Sequence, residues 1–258
     1  MKVTLLLPAY NEAQDLPPLL ERAGQALEGR ADYRILVVDD GSTDGTADAV
    51  RRAAERLPIT LIQHPRNMGL GAAMRTGLKA AAQGQGVVVT MDADNSHDPE
   101  TIHSLLAKLD EGCDVVIASR FQPGGQELGV PGHRKLLSHS ASAVLRLLIR
   151  YPGVKDYTCG FRAYRVETLR RLIETYGDGF VRENGFSCML ELLLNLRSLH
   201  VPAAEVPLVL RYDLKTGASK MRVFRTVRRY AVTITSRIQK HDPADAESSA
   251  PEGTTDDR

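Results

Sequence analysis

The sequence predicts an α/β fold built on a mostly parallel, doubly wound sheet with helices on both faces. Across the first 120 residues, short apolar runs of β type alternate with longer segments of helical periodicity. This alternation is typical of parallel strands joined by crossover helices. Polar and acidic residues follow directly after several of the apolar runs. They support the same fold, because parallel sheets bind ligands beyond the carboxyl ends of their strands.

Five strands and four helices are predicted in this first half. The strands cover residues 2–7, 33–38, 59–63, 87–91 and 114–118. The first helix covers 15–27, where apolar residues recur at helical spacing. The second begins at a cap on Ser42 or Thr43, has Asp44 in its first turn and runs to Leu57. The third covers 71–82, and the fourth has Pro99 in its first turn and runs to Leu109.

The pattern changes after residue 120. Residues 122–132 are rich in glycine and proline, so they predict a loop that is mobile without ligand. Helices are predicted at 134–151, 166–176, 185–199 and 221–240, the last of them basic and amphipathic. Residues 157–164 form a compact polar segment, and 201–210 are extended. Pro202 and Pro207 place that extended segment at a sheet edge.

The composition, with 43% hydrophobic and 25% charged residues, is that of a soluble globular protein. No apolar run reaches 18 residues, and the N-terminus turns polar too early for a signal peptide. The three cysteines match no zinc or disulfide spacing, which indicates a reducing cytoplasm. Aromatic residues make up only 5% of the chain and tryptophan is absent, so binding to nucleic acid is disfavoured.

Charge is distributed unevenly along the chain. Residues 241–258 carry six acids and one arginine, which leaves 32 basic and 26 acidic residues in 1–240. The acidic segment contains no large apolar residue, so we expect residues 241–258 to be a disordered tail. The basic body indicates an anionic partner.

Carboxylates follow the strand predicted at 87–91. Asp92 and Asp94 are two residues apart, so on a strand they point to the same side and can share one Mg²⁺ or Mn²⁺ ion. A solvated acidic turn is the alternative. The cation is favoured because Glu12, Asp39 and Asp40 follow two other strands at the same sheet edge, where uncompensated carboxylates would repel each other.

A glycine-rich block at 67–77 precedes or opens the third helix. Exposed amides at a helix N-terminus bind phosphate. The block matches neither the P-loop nor the dinucleotide fingerprint. Phosphate binding and tight packing at a turn both remain open.

Taken together, these blocks resemble the inverting family-2 glycosyltransferases of GT-A fold, and within them the dolichyl-phosphate mannose synthase group and its polyprenyl-phosphate relatives. The resemblance covers about residues 2–235. The blocks are PAYNE at 8–12, VVDDGSTDGT at 37–46, NMGLGAAMRTG at 67–77, MDADNSHDPE at 91–100, ASRF at 118–121, RKLLS at 134–138, DYTCGFRAYR at 156–165 and GASK at 217–220. The later blocks are the more specific ones.

The resemblance implies a role for individual residues. Asp92 and Asp94, supported by Ser96, would bind Mg²⁺ or Mn²⁺, and Arg120 and Arg134 would act with them in catalysis. The acceptor phosphate would contact Arg120, Arg134, Ser138 and Ser219. The nucleotide sugar, GDP-mannose or a UDP-sugar, would contact Pro8, Tyr10, Glu12, Asp39, Asp40, Asp92, Ala93, Asp94, Arg211 and Lys220. Whether Arg211 or Lys215 contacts phosphate is open, because the spacing to Lys220 departs from the group's pattern.

The resemblance also implies a division of the chain and an acceptor. Residues 1–240 would form the catalytic domain, with a nucleotide-sugar half at about 1–120 and an acceptor half with amphipathic helices at about 121–240. A polyprenyl phosphate is already an anionic nucleophile, whereas a sugar or glycolipid hydroxyl needs a carboxylate base, for which Asp156 and Glu191 are the candidates. We expect a cytoplasmic protein with peripheral contact at the inner face of the cell membrane.

Overall fold

The computed structural model describes residues 1–214, apart from the side chains of His133, Arg134 and Leu137. Its strands are β1 (Lys2–Ala9), β2 (Asp32–Asp39), β3 (Ile59–Gln63), β4 (Val87–Thr90), β5 (Val115–Ser119), β6 (Gln126–Leu128), β7 (Arg162–Arg165), β8 (Ala203–Pro207) and β9 (Val209–Arg211). Its α-helices are α1 (Leu16–Leu27), α2 (Thr46–Ala53), α3 (Leu70–Ala82), α4 (Thr101–Asp110), α5 (Gly132–Ile149), α6 (Val166–Tyr176) and α7 (Cys188–Ser198). Short 3₁₀ turns cover Gly177–Phe180 and Tyr212–Leu214.

Seven strands form one sheet in the order β3-β2-β1-β4-β7-β5-β8. All of them are parallel except β7, which pairs antiparallel with both β4 and β5. The predicted mostly parallel sheet is therefore confirmed. Strand β8 lies at the edge, as its prolines predicted. A second sheet of two parallel strands joins β6 to β9.

The strand order determines where a ligand can bind. The chain moves outward from β1 to β3 and then returns to place β4 on the other side of β1. Right-handed crossovers therefore put α1 and α2 on one face and α3 on the other. The order reverses between β1 and β4, and such a switch point opens a crevice at the carboxyl ends of the strands. Those ends are Pro8 to Tyr10 and Asp92 to Asp94.

Helix α2 begins later than predicted. Ser42 and Thr43 do not cap it, because both residues bind the end of β1. The Ser42 hydroxyl accepts from the amide of Asn11 at 2.8 Å, and the amide of Thr43 donates to the side chain of Asn11 at 2.8 Å. Asp44 accepts hydrogen bonds from the amide and hydroxyl of Thr46, where the helix starts. Tertiary contacts at the ligand edge thus shorten the helix.

Two strands were missed by the sequence analysis. Strand β6 lies inside the segment predicted to be a loop at 122–132. Strand β7 begins inside the polar segment 157–164 and ends one residue after it. Arg162 in β7 is fully buried and donates to the carbonyls of Cys159 at 2.7 Å and Met189 at 2.8 Å. A strand of four residues with arginines at both ends has no apolar alternation, so only its pairing with β4 and β5 reveals it.

The remaining helices agree closely with the prediction. Helix α6 has the predicted bounds, and α5 is displaced by two residues toward the N-terminus. Leu145 and Ile149 bury one side of α5, while Leu136 and Leu147 are 72% and 68% exposed. Among the described residues, none of the helices has the length and apolar character needed to span a bilayer. The predicted helix at 221–240 and the tail at 241–258 lie outside the described residues.

Candidate active site

A cleft opens at the switch point between β1 and β4. It gathers residues from the ends of both strands, the glycine-rich block, the segment before α7 and the segment from β9 onward. The cleft is lined by Pro8, Ala9, Tyr10, Glu12, Asp40, Asn67, Leu70, Ala73, Asp92, Ala93, Asp94, Ser96, Phe186, Leu210 and Tyr212. Of the predicted nucleotide-sugar set, this arrangement brings together Pro8, Tyr10, Glu12, Asp40, Asp92, Ala93 and Asp94.

Asp92 and Asp94 both line this cleft and are both half-buried. Ser96 is buried, and its hydroxyl donates to Asp94 Oδ1 at 2.5 Å. Ser96 therefore orients a carboxylate. Within residues 1–214 no cluster of three or more His, Cys, Asp or Glu side chains is arranged to hold a metal. Two hard oxygen donors in an open cleft fit Mg²⁺ or Mn²⁺, which complete their shells with water and substrate phosphates.

The two aspartates after β2 have different surroundings. Asp40 is buried, and its carboxylate accepts from His64 Nδ1 at 2.7 Å and from the amides of Met68 at 3.0 Å and Gly69 at 2.7 Å. It therefore holds the glycine-rich block against the cleft. Asp39 is also buried and accepts from the amide of Ser42 at 3.0 Å, while its Oδ2 has no hydrogen-bond partner among the described residues. Asp39 does not line the cleft, so of the two predicted aspartates the structure brings only Asp40 to it.

The glycine-rich block packs against the loop before α7. The amide of Gly71 donates to the carbonyl of Asn184 at 2.9 Å, and the amides of Ala72 and Ala73 donate to the carbonyl of Gly69. A Cβ on Gly71 would lie 1.7 Å from the carbonyl oxygen of Glu183. The sequence left phosphate binding and close packing open as roles for this block. The structure shows close packing, because the amides of Gly71, Ala72 and Ala73 all donate to carbonyls of the protein.

A second polar cluster lies beyond β5. Arg120 donates from Nε to Asp156 Oδ2 at 2.8 Å and from Nη2 to Asp156 Oδ1 at 2.9 Å. Nη2 also donates to Thr158 at 2.7 Å, and Nη1 has longer contacts to Ser138 at 3.3 Å and Glu127 at 3.4 Å. The structure thus brings two residues of the predicted acceptor set, Arg120 and Ser138, side by side. The side chain of Arg134, and Ser219 entirely, lie outside the described part.

Asp156 is fully buried, and its pKa is low. Burial by itself raises the pKa of a carboxyl, but the paired Arg120 and hydrogen bonds from backbone amides outweigh it and hold the pKa of Asp156 at about 2. Burial by itself lowers the pKa of Arg120, but the attraction to Asp156, the hydrogen bonds to that carboxylate and smaller effects of its other neighbours together outweigh burial and raise it. Asp156 is therefore an anion at neutral pH, and both of its carboxylate oxygens are bound to Arg120. A carboxylate held in this way is unsuited to act as a general base.

Glu191, the other candidate base, serves the loop before α7. Its Oε2 accepts from the amides of Arg182 at 2.8 Å and Glu183 at 2.9 Å, and the residue is buried. The structure thus gives it a supporting role for the loop that carries Phe186 into the cleft.

The side chain of Arg211 does not line the cleft. Its guanidinium forms an ion pair with Asp213, with Nη2 2.8 Å from Oδ2. Its neighbours Leu210 and Tyr212 line the cleft, as expected for residues that alternate along an extended chain. The amide of Arg211 donates to the carbonyl of Ser96 at 2.8 Å, which ties β9 to the Asp94 turn. Lys215 and Lys220 lie outside the described residues.

Three cleft residues, Phe186, Leu210 and Tyr212, lie outside every block that the sequence analysis singled out as functional. They come from the distant parts of the chain before α7 and around β9. Ala9, Asn67, Leu70 and Ala73 lie inside such blocks but were not predicted individually. Phe186 fell in a predicted helix and Leu210 at the end of a predicted extended segment, and nothing local showed that either faces the cleft.

Solved structures share this fold. Glucosyl-3-phosphoglycerate synthase from Mycobacterium tuberculosis, crystallised with Mn²⁺, UDP and glucosyl-3-phosphoglycerate, superposes with a TM-score of 0.69 at 22% identity, covering 94% of this chain and 81% of that one. A crystal structure of the same enzyme in complex with Mg²⁺ and UDP superposes with a TM-score of 0.68. The fold is thus the GT-A arrangement predicted above, that of a class of glycosyltransferases.

The family model described as Glycosyl transferase family 2 matches residues 4–173. The chain belongs to this family. Two relatives show which members of the family this chain is similar to. Undecaprenyl-phosphate mannosyltransferase of Micrococcus luteus is 36% identical over 86% of this chain and 88% of that protein. Dolichol-phosphate mannosyltransferase of Pyrococcus furiosus is 33% identical over 86% of this chain, which spans 60% of that relative's length. The predicted similarity to polyprenyl-phosphate mannosyltransferases is confirmed.

Proposed function

We propose that this chain is a metal-dependent, inverting glycosyltransferase that moves mannose or a similar hexose from a nucleotide sugar to a polyprenyl phosphate. The relatives named above support the acceptor class, as does polyprenol monophosphomannose synthase of Mycolicibacterium smegmatis, 34% identical over 85% of this chain. GDP-mannose and UDP-sugars are the donors to be compared.

The pairing of Asp156 with Arg120 is the observation that carries this proposal. Transfer to a hydroxyl requires a base within reach of the acceptor, and both candidate bases, Asp156 and Glu191, are bound to other groups of the protein. An acceptor phosphate is anionic from the start and needs a cation to position it. Arg120 is that cation, and Asp156 fixes its orientation.

Asp92 and Asp94 would hold Mg²⁺ or Mn²⁺, and the metal, when bound, would stabilise negative charge on the leaving nucleoside diphosphate. Ser96 keeps the Asp94 carboxylate turned into the cleft. Tyr10 and Glu12 lie at the end of β1, where they would contact the nucleoside together with Asp39. Leu70, Phe186 and Leu210 add apolar side chains to the lining of the same cleft.

Peripheral contact with a membrane is part of the proposal. Leu136, Val144, Leu147 and Leu148 are exposed on one side of α5. Arg150 is exposed at the C-terminal end of α5, whereas Lys135 and Arg146 donate to the carbonyls of Glu127 and Lys155. An exposed apolar face with a cation at its end fits a bilayer with anionic headgroups. Docking there would bring the enzyme to a lipid phosphate at the cytoplasmic face.

A donor screen tests the proposed function. The purified full chain is incubated with radiolabelled GDP-mannose, UDP-glucose or UDP-GlcNAc, each with polyprenyl phosphate and Mg²⁺ or Mn²⁺, and label in the organic phase is counted. We expect one donor to label the lipid in a metal-dependent way. Parallel reactions with 3-phosphoglycerate or a glycolipid test the hydroxyl acceptors. Transfer only to these would replace the proposal with its alternative, transfer to a hydroxyl.

A further inference from the structure

Arg120 has one side of its guanidinium that is loosely held. Nε and Nη2 make short hydrogen bonds to Asp156 and Thr158, between 2.7 and 2.9 Å. Nη1 contacts only Ser138 and Glu127 among the described residues, at 3.3 and 3.4 Å. These distances exceed the usual 2.9–3.0 Å of such bonds. Nη1 is therefore the nitrogen whose contacts an incoming anion can replace at low cost.

The group in front of Nη1 is itself an anion. Glu127 is carried by β6, and its side chain is only 7% exposed. Its Oε1 faces Arg120 at 3.4 Å and its Oε2 faces His139 Nε2 at 3.4 Å. A buried carboxylate is normally held by short hydrogen bonds. The carboxylate contacts of Glu127 to described residues are long, so it is held mainly by the charge of its surroundings.

Two arginines and a histidine gather around the ring of Phe121 beside Glu127. The guanidinium groups of Arg120 and Arg146 both lie over the ring of Phe121, at 5.4 and 4.7 Å from its centre. His139 meets the same ring edge-on at 4.9 Å. Asp156 offsets the charge of Arg120, and Glu127 adds a second negative charge. A phosphate entering this cluster would meet that second carboxylate and be repelled by it.

We propose that Glu127 occupies the acceptor-phosphate site as an internal anion and is displaced from Arg120 when the phosphate of the acceptor binds. This inference rests on the proposed function and adds a residue that sets the affinity for the acceptor. The segment around Glu127 permits the displacement. Strand β6 has three residues and within residues 1–214 pairs only with β9, and Gly124 and Gly129 on either side have φ of +91° and +72°.

The variant Glu127→Gln tests the inference, because it keeps the shape of the side chain and removes its charge. We expect the KM for polyprenyl phosphate to fall by about five- to tenfold, the size of a modest ion pair. The KM for the donor and kcat should stay within about twofold. Glu111→Gln is the matched control, since it removes one negative charge from a surface pair with Lys108. It should change neither constant.

A binding measurement separates this inference from the proposed function. Inorganic phosphate is titrated calorimetrically into the full chain without donor, and Glu127→Gln should bind it more tightly than the wild type even if no lipid is glycosylated. Glu127→Asp, whose shorter side chain falls back from Arg120, should be intermediate and covers the case in which the glutamine variant does not fold. Unchanged phosphate affinity in the folded variants would overturn the inference. So would loss of kcat at unchanged KM, which would make Glu127 the base for a hydroxyl acceptor.

Discussion

Arg120 and Asp156 form a two-point ion pair, with Nε 2.8 Å from Oδ2 and Nη2 2.9 Å from Oδ1, between residues 36 positions apart in the chain. Asp156 in turn accepts from the amides of Thr158 and Cys159. The pair joins the end of β5 to the segment that leads into β7. It therefore couples the position of Arg120, the arginine proposed to bind the acceptor phosphate, to the stability of the fold.

The contribution of Asp156 to stability should depend on pH. Its pKa is lowered from 3.8 to about 2, so the ion pair stabilises the protein fully above about pH 4 and loses this effect as the pH falls toward 2. The difference amounts to on the order of 2 kcal/mol. Urea unfolding of the wild type and Asp156→Asn at pH 7, 5, 4 and 3 should show a gap that narrows below pH 4. Asp213→Asn, at an exposed pair, should show little gap at any pH. A gap for Asp156→Asn that is constant down to pH 3 contradicts the assignment.

Replacing Asp92 or Asp94 by alanine should abolish metal-dependent transfer and leave the fold intact. Both carboxylates line the cleft, and loss of a metal ligand removes several kcal/mol of charge stabilisation, about a hundredfold or more in rate. Mn²⁺ binding is followed by electron paramagnetic resonance and folding by thermal unfolding. Asp98→Ala, in the same turn but paired with Arg22 at the surface, is the control and should bind Mn²⁺ normally. Full activity of folded Asp94→Ala would refute the metal site.

Gly160 leaves room for the carboxylate of Asp92. A Cβ at this position would lie 2.9 Å from Asp92 Oδ1, so Gly160→Ala should turn a metal ligand aside at little cost to packing. We expect Mn²⁺ affinity to fall by about tenfold, a loss comparable to that of outer-shell changes at metal sites, while the melting temperature changes little. Gly185→Ala, where a Cβ meets nothing within 4 Å, is the control. Equal Mn²⁺ affinity of Gly160→Ala and wild type would contradict this arrangement.

When ligand binds, hydrogen exchange in the segment 122–132 should change more at its glycines than in strand β6. The amide of Gln126 donates to the carbonyl of Leu208 at 2.9 Å, so β6 amides should be partly protected already. The flanking glycines should exchange rapidly alone and gain protection with nucleotide sugar and metal, since ordering them is entropically costly. Hydrogen exchange by mass spectrometry measures both parts. Strong and equal protection in the two states would reject a closing loop.

Binding to vesicles should require anionic lipid and weaken with salt. Each basic residue near an anionic surface adds about 1 kcal/mol, and the exposed leucines of α5 add apolar contact. Co-sedimentation of Leu136→Ser/Leu147→Ser should therefore be weaker than that of wild type, and removal of residues 241–258 should strengthen it. Neutral vesicles serve as the control. Binding that is indifferent to lipid charge and salt, or no binding at all, would reject peripheral docking.

The sequence by itself determined which segments form the parallel strands and which carboxylates follow their carboxyl ends. Apolar periodicity is local, so β3 and α6 were predicted with their observed bounds. Asp92 and Asp94 could be assigned to one cleft because strand ends of a parallel sheet share an edge.

Only the tertiary structure decided what the polar residues after β5 do. Asp156 was a candidate base, and a contact across 36 residues makes it the partner of Arg120 instead. Strand β7 is central although its own sequence has no strand pattern, because both of its neighbours pair with it. Glu127 owes its position to the pairing of β6 with β9, and Phe186 owes its position to a loop that packs against the glycine-rich block at the start of α3. Partners of this kind are chosen by the folded chain as a whole, so no local pattern encodes them.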